Sequence, residues 1–248
     1  MITTWKTTSS IFKRELGVYL ESPLAFVFLI SFLLLCGIFT FTLGGFFERD
    51  DASLFAFFNW MPWLLIFLVP AVGMRLWSEE YRLGTIELLM TLPIDIWQAI
   101  VGKFLASWAF LCVALMLTFP MVLTVNWLGS PDNGAILTGY FGCVLLAGNY
   151  LALACLASSI TRNQVIAFIV TVIACLLIIL LGFSPVTDLL SRWISQESIQ
   201  TLANFSFLSH FDGFQRGVID SRDLLYFAST TVFYLYLSGI VIRKTSIR

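Results

Sequence analysis

Few side chains in this sequence could take part in chemistry, and most of them stand alone. His210 is the single histidine and has neither an HExxH nor an HxE setting, so a structural or solvated role is favoured over metal or acid–base work. The only Gly-Lys pair, Gly102 and Lys103, has Trp97 where a phosphate-binding loop needs its first glycine and Phe104 where it needs Ser or Thr. ATP is not bound by that route. Asn204, Phe205 and Ser206 spell a glycosylation sequon and are read as a chance occurrence. Asn59, Asn126 and Asn149 are isolated polar groups suited to interhelical hydrogen bonds, with lining of a pathway as the alternative. The exception is the stretch from Arg75 to Lys103, which gathers Arg75, Glu79, Glu80, Arg82, Glu87, Asp95 and Lys103 between long uncharged segments. Its carboxylates and guanidinium groups can make charge-assisted contacts, and Ile86, Leu88, Leu89, Met90 and Leu92 can fill a groove.

The elements that would hold these residues are membrane helices. Hydrophobic residues form 59% of the 248 and charged residues 12%, against about 25% charged in an ordinary soluble domain. Six windows carry no charge: 22–47, 52–74, 104–131, 133–161, 163–187 and 224–242. Each approaches or exceeds the ~20 residues that cross ~30 Å of hydrocarbon, which predicts an all-α polytopic protein of six transmembrane helices with both termini on one side. Lys and Arg set the orientation. With the N-terminus inside, ten of the fourteen basic residues and six of the fifteen acids are cytoplasmic, a net +4, while four bases and nine acids give the outer segments −5. The expected topology is N-in, C-in.

The first span has 26 charge-free residues, longer than a signal core, and follows a polar stretch, so it is read as permanent. Cys36, Cys112, Cys143, Cys155 and Cys175 lie inside spans without CxxC spacing and are read as buried small hydrophobes. No cofactor or metal site is expected in this chain. Residues 1–21 suggest an amphipathic helix along the inner interface, and Pro23 opens the first span. Pro62, Pro70 and Pro120 should bend or loosen the second and third spans. Trp5, Trp60, Trp63, Trp77, Trp97, Trp127 and Trp193 are expected at headgroup depth. Gly139, Gly142, Gly148, Ala152, Ala154, Ala157 and Ser158 allow close approach to the fourth span, for packing within the chain, for a dimer or for a pathway.

Residues 184–223 should lie outside, partly as an amphipathic helix dipping into the outer leaflet. Asp220 and Asp223 are placed to cap the last helix. With no repeat, low-complexity tract or long linker, residues 1–248 read as one membrane domain. Within the inner stretch, Arg75–Glu79 and Glu79–Arg82 can pair along a helical continuation of the second span. Gly84 permits a turn, Thr85 can cap a new helix, Pro93 stops it, and Asp95 with Gln98 resembles a capping box for the third span. A helix this short must dock, either on this chain's own N-terminal helix and the lipid surface or in the groove of a separate cytoplasmic protein.

The string RLWSEEYRLGTIELLMTLPIDIWQAIVGKFLASW resembles the cytoplasmic signature of the ABC-2 permease superfamily. In pattern it is most similar to gliding-motility-type permeases, and more distantly to the permease of the maturation system for nitrous oxide reductase. The likeness runs the full length and includes the SHF…GVID…D pattern before the last span. It implies that Gly84 to Leu92 form a coupling helix in a cleft of a separate ATPase subunit, with Glu79, Glu80, Arg82, Gly84, Thr85, Glu87 and Leu88 on the signature and Leu89 beside them. It also implies that Phe12, Lys13, Arg14 and Glu15 belong to a connector helix touching the ATPase. Two permeases, identical or homologous, and two ATPases holding ATP and Mg2+ would form the working unit in a bacterial inner membrane, with lipid but no nucleic acid as partner. Because the chain lacks the large domains of bigger exporters, no known polymer or drug substrate is carried over.

Two functions follow as expectations. One is a permease subunit that converts ATP hydrolysis by its partner into export. The other is mechanical transmission to a periplasmic auxiliary protein through residues 184–223, without a transported solute. An intramembrane enzyme is disfavoured because no catalytic pair is visible.

Overall fold

A computed structural model of the protein describes residues 2–46, 48, 52–91 and 94–246. Phe47, Arg49, Asp50, Asp51, Leu92, Pro93 and Arg248, with the side chains of Trp5 and Met90, lie outside the described residues. The acidic turn and the helix stop assigned to Pro93 lie there with them.

Described residues fold entirely as helix and turn. In chain order the helices are α1 (Ile2–Glu21), α2 (Pro23–Ile38, extended by a π-helical turn Phe39–Leu43), α3 (Phe55–Gly73), α4 (Ser78–Leu83), α5 (Thr85–Thr91), α6 (Ile96–Met116), α7 (Phe119–Leu128), α8 (Asn133–Ile160), α9 (Gln164–Leu180), α10 (Ser184–Leu190), α11 (Gln196–Ala203), α12 (Phe207–Gln215) and α13 (Ser221–Ser246). Five segments are long and apolar enough to cross a membrane: 23–43, 55–83, 96–128, 133–160 and 221–244. A sixth exists if α9 and α10, which meet at 68°, are counted as one broken span. The charge-free window 163–187 is therefore not one straight helix. Its helix ends at Leu180, and Pro185 sits in the first turn of the next, where its missing N–H costs nothing.

α8 is the axis of the bundle, with α3, α6, α9, α12 and α13 packed around it. Its small residues serve packing within the chain. A Cβ at Gly139 would meet the Phe58 ring and one at Gly142 the Phe214 side chain. Pro120 stands in the first turn of α7, directly after the break at Leu117 and Thr118 that loosens the span 96–128. The Thr118 hydroxyl bonds to the Leu115 carbonyl at 2.6 Å and pairs with the Tyr140 hydroxyl at 2.8 Å.

One expectation is corrected, that for Trp77, and others gain their packing partners. α1 docks along α6, and Gly102 permits the contact: a Cβ there would lie 2.9 Å from Ile11 Cγ2 and 3.2 Å from the Thr8 carbonyl. Trp77 is not interfacial but fully buried, with its indole N–H donating to Cys155 Sγ at 3.3 Å. That insertion goes with a break at Met74–Trp77, after which α4 continues the segment 55–83 as a helix of its own. Residues 184–223 also divide in two. α10 and α11 bury no residue, whereas α12 sinks Phe207, Phe211 and Phe214 into the bundle. Trp127 and Trp193 do stand exposed, at 92% and 87%.

Candidate functional site

The break after α3 delivers α4 with its charges in one row. Arg75 lies 3.7 Å from Glu79, and Arg82 lies 3.6 Å from the same carboxylate. Such pairs contribute only about 0.2–0.5 kcal/mol each, and Arg82 is largely in solvent. They orient the helix more than they stabilise it.

Gly84 ends α4 in the left-handed conformation at φ 71°, which costs any residue with a Cβ about 1–2 kcal/mol. The reversal starts α5 at once. Thr85 does not cap it: its hydroxyl reaches back across the turn to the Glu80 carboxylate. A threonine that returns to the preceding helix braces the left-handed turn between them. α5 packs against α4 and α13, burying Ile86 and Leu89. Three-residue spacing puts Ile86 and Leu89 on one face and turns Glu87 and Leu88 away. Leu88 is 67% exposed and Leu89 9%; Glu87, Leu83 and Gly84 are also exposed. Docking on the protein itself therefore uses half of the short helix and leaves the other half bare.

Beneath this element is a half-open cleft of 470 Å3 lined by Arg14, Glu15, Glu79, Glu80, Leu88 and Leu89, among others. The structure thus brings α1 residues beside the α4–α5 residues. Phe12 is half-buried, while Lys13 and Arg14 are exposed. Glu15 and Glu80 both face inward to a residue that sequence reasoning treated only as an inner-side charge. Lys103 Nζ lies 2.9 Å from Glu80 and 3.1 Å from Glu15, and the residue is 3% exposed. Arg14 pairs with the same Glu15 oxygen at 2.8 Å. The ammonium also sits 5.6 Å from the Trp77 ring centroid.

Taking an ammonium out of water costs several kcal/mol, and two carboxylates at this distance offset it. Removing one partner of such a cluster typically costs about 3–5 kcal/mol. Burial pushes the Glu80 carboxyl upward. The Lys103 charge, with hydrogen bonds from Thr85 and Lys103, outweighs that and holds it below its ordinary value. One signal for Lys103 was available. Asp95 caps α6 through the Trp97 N–H at 3.3 Å, so Lys103 falls two turns inside a helix, where a cation needs an acid.

Further interactions fasten this end. Ser107 donates to the Tyr19 hydroxyl at 2.9 Å, and Tyr19 donates to the Val72 carbonyl at 3.1 Å, tying α1 to α6 and α3. Arg243, near the end of α13, lies 3.7 Å from Asp95 and over the Trp97 ring. At the opposite end, His210 contacts Asp223 at 2.7 Å and the Asn204 carbonyl at 2.9 Å, and stacks on Tyr226. Its role is structural. Asp223 is used in that pair, and Asp220 alone accepts from the Arg222 N–H at the start of α13.

Among the described residues, the α1 end offers no nucleophile–base pair and no cluster of three metal-ligating side chains occurs. What it offers is an exposed acidic and aliphatic ridge, Leu83 to Leu88, rooted in an ion cluster. The family model described as ABC-2 family transporter protein matches residues 11–241. No match emerges among curated proteins.

Proposed function

Because the chain belongs to the ABC-2 family of transporter proteins, a family of membrane components, we propose that it is the permease subunit of an ABC exporter and receives the work of a separate ATPase through α5. The observation that carries this reading is the division of α5. Ile86 and Leu89 fix it to the bundle, while Leu83, Gly84, Glu87 and Leu88 stand exposed among the described residues. In this reading the α1 end is cytoplasmic, both termini are inside, and the membrane is the bacterial inner membrane. Leu88 enters an apolar cleft of the ATPase, Glu87 and Arg82 make charge-assisted contacts at its rim, and Lys13 and Arg14 add a second contact from the α1 connector. Glu15, Glu80 and Leu89 work from inside the permease and support the ridge. ATP and Mg2+ belong to the partner. The assembly pairs two permeases with two ATPases.

Co-purification with an ABC ATPase from the native cells tests the proposal. Glu87→Arg with Leu88→Asp should abolish complex formation, and an unchanged complex with unchanged ATP turnover would refute it.

A second reading has its own support. α10 and α11 bury nothing in the bundle, and Leu189, Trp193 and Phe205 stand exposed there. Such a segment suits transmission of movement to a periplasmic protein without solute transport. Phe207 is buried, so crosslinking should start from Trp193 or Phe205. Capture of a periplasmic protein there would favour this reading, and ATP-dependent solute accumulation in proteoliposomes without such a protein would favour export.

A further inference from the structure

Lys103 holds more of the molecule together than a surface pairing needs. From its ammonium one arm runs to α4 and α5, through Glu80 and the Thr85 hydroxyl bound to the same carboxylate. A second runs to α1, through Glu15 and its partner Arg14. A third passes under the ammonium to Trp77, then to Cys155 Sγ of α8 at 3.3 Å and on to Ser238 Oγ of α13 at 3.7 Å. Each arm ends on a different helix, and all three meet at a side chain 3% exposed.

We propose that Lys103 is the positioning residue that joins the α4–α5 element to the membrane-spanning helices, so that a displacement of α5 reaches α1, α6, α8 and α13 as one movement. This rests on the ATPase-coupling reading above and goes beyond it by assigning the link. The argument is electrostatic. If α4 moved without α6, an ammonium only 3% exposed would lose one of its two anions and gain little water in exchange. Moving the helices together avoids that loss. The Glu79–Arg82 pair cannot serve the same purpose, since Arg82 is largely in solvent and rehydrates when the pair separates. Stability alone does not call for a buried ion cluster either, because apolar replacement of such clusters is often neutral or stabilising. Spatial continuity marks a route, and a measurement of coupling must show that it is used.

The test uses the full-length permease with its ATPase in nanodiscs. Spin labels are placed at Trp127→Cys and Trp193→Cys, both exposed, with Cys112, the one cysteine not buried, changed to Ala. In the wild-type background, ATP should shift the label-to-label distance, and the permease should alter ATP turnover relative to the ATPase alone. The neutral triple variant Lys103→Met, Glu15→Gln, Glu80→Gln should bind the ATPase and unfold at a temperature no lower than wild type. It should nevertheless lose the distance shift and return ATP turnover to that of the free ATPase. Lys103→Arg, which keeps the charge, should retain both responses. A folded triple variant that transmits as wild type does would overturn the inference. Should that variant fail to fold, Glu80→Gln alone decides in the same way, by losing or keeping the shift. If the wild-type chain captures no ATPase, the coupling reading falls at the binding step, before any distance is measured, and this inference falls with it.

Discussion

Leu88 and Leu89 are adjacent in sequence, and the structure assigns them opposite work. Leu89 is 9% exposed and Leu88 67%. Truncating a buried leucine to alanine costs about 2–5 kcal/mol, and Leu89 stands near the lower part of that range because α5 is a thin element at the margin of the bundle. Leu88→Ala removes a side chain already mostly in solvent, where substitutions usually stay within about 0.5 kcal/mol. Binding reverses the order. Burying a leucine in a partner's cleft is worth about 1.5–3 kcal/mol, so Leu88→Ala should weaken ATPase binding by about 10- to 100-fold while leaving the permease's own unfolding unchanged. Leu89→Ala should lower the unfolding temperature measurably. The assay is thermal unfolding of each variant in detergent, followed by titration of the purified ATPase onto the permease. Equal destabilisation by the two variants, or ATPase affinity indifferent to Leu88→Ala, would refute the two-faced reading of α5.

Other perturbations follow from the same geometry. Gly84→Ala forces a Cβ into the left-handed region at φ 71° with no atom nearby to clash; it should cost about 1–2 kcal/mol and impair coupling, and Gly84→Asn should cost less. Gly102→Leu drives a side chain into Ile11 and the Thr8 carbonyl and should lift α1 from α6, seen as new protease cleavage within residues 6–20. Glu80 has its folded pKa below the ordinary 4.5, so its contribution is complete above that value and is lost as pH falls through the lower folded value. Glu80→Gln should flatten that acid limb of the stability curve, and an unchanged limb would show that Glu80 is not what titrates there.

Charge-free windows revealed the spans because hydrocarbon excludes charge whatever the tertiary packing. Gly84 was equally readable as a turn, since few residues tolerate the left-handed region. Packing partners were not readable in the same way. Trp77 has the side chain of an interfacial residue, and only the approach of α8 with Cys155 makes a buried site for its N–H. Glu15 and Glu80 looked like solvent-facing acids because their cation, Lys103, lies 88 and 23 positions away along the chain. The window 163–187 hid a 68° bend, since composition measures length in hydrocarbon and not direction. Part of the outer segment is legible as an amphipathic helix, and the three phenylalanines at 207, 211 and 214 that follow have the spacing of a buried helical face.

The most direct test of the account replaces Leu88 with a photo-crosslinking amino acid in the full-length chain, expressed in its native cells. Illumination should yield a single adduct between permease and ATPase, and the same substitution at Leu89 should give adducts within the permease. Adducts from Leu88 confined to its own polypeptide or to lipid would contradict the assignment of α5 as the seat of the motor.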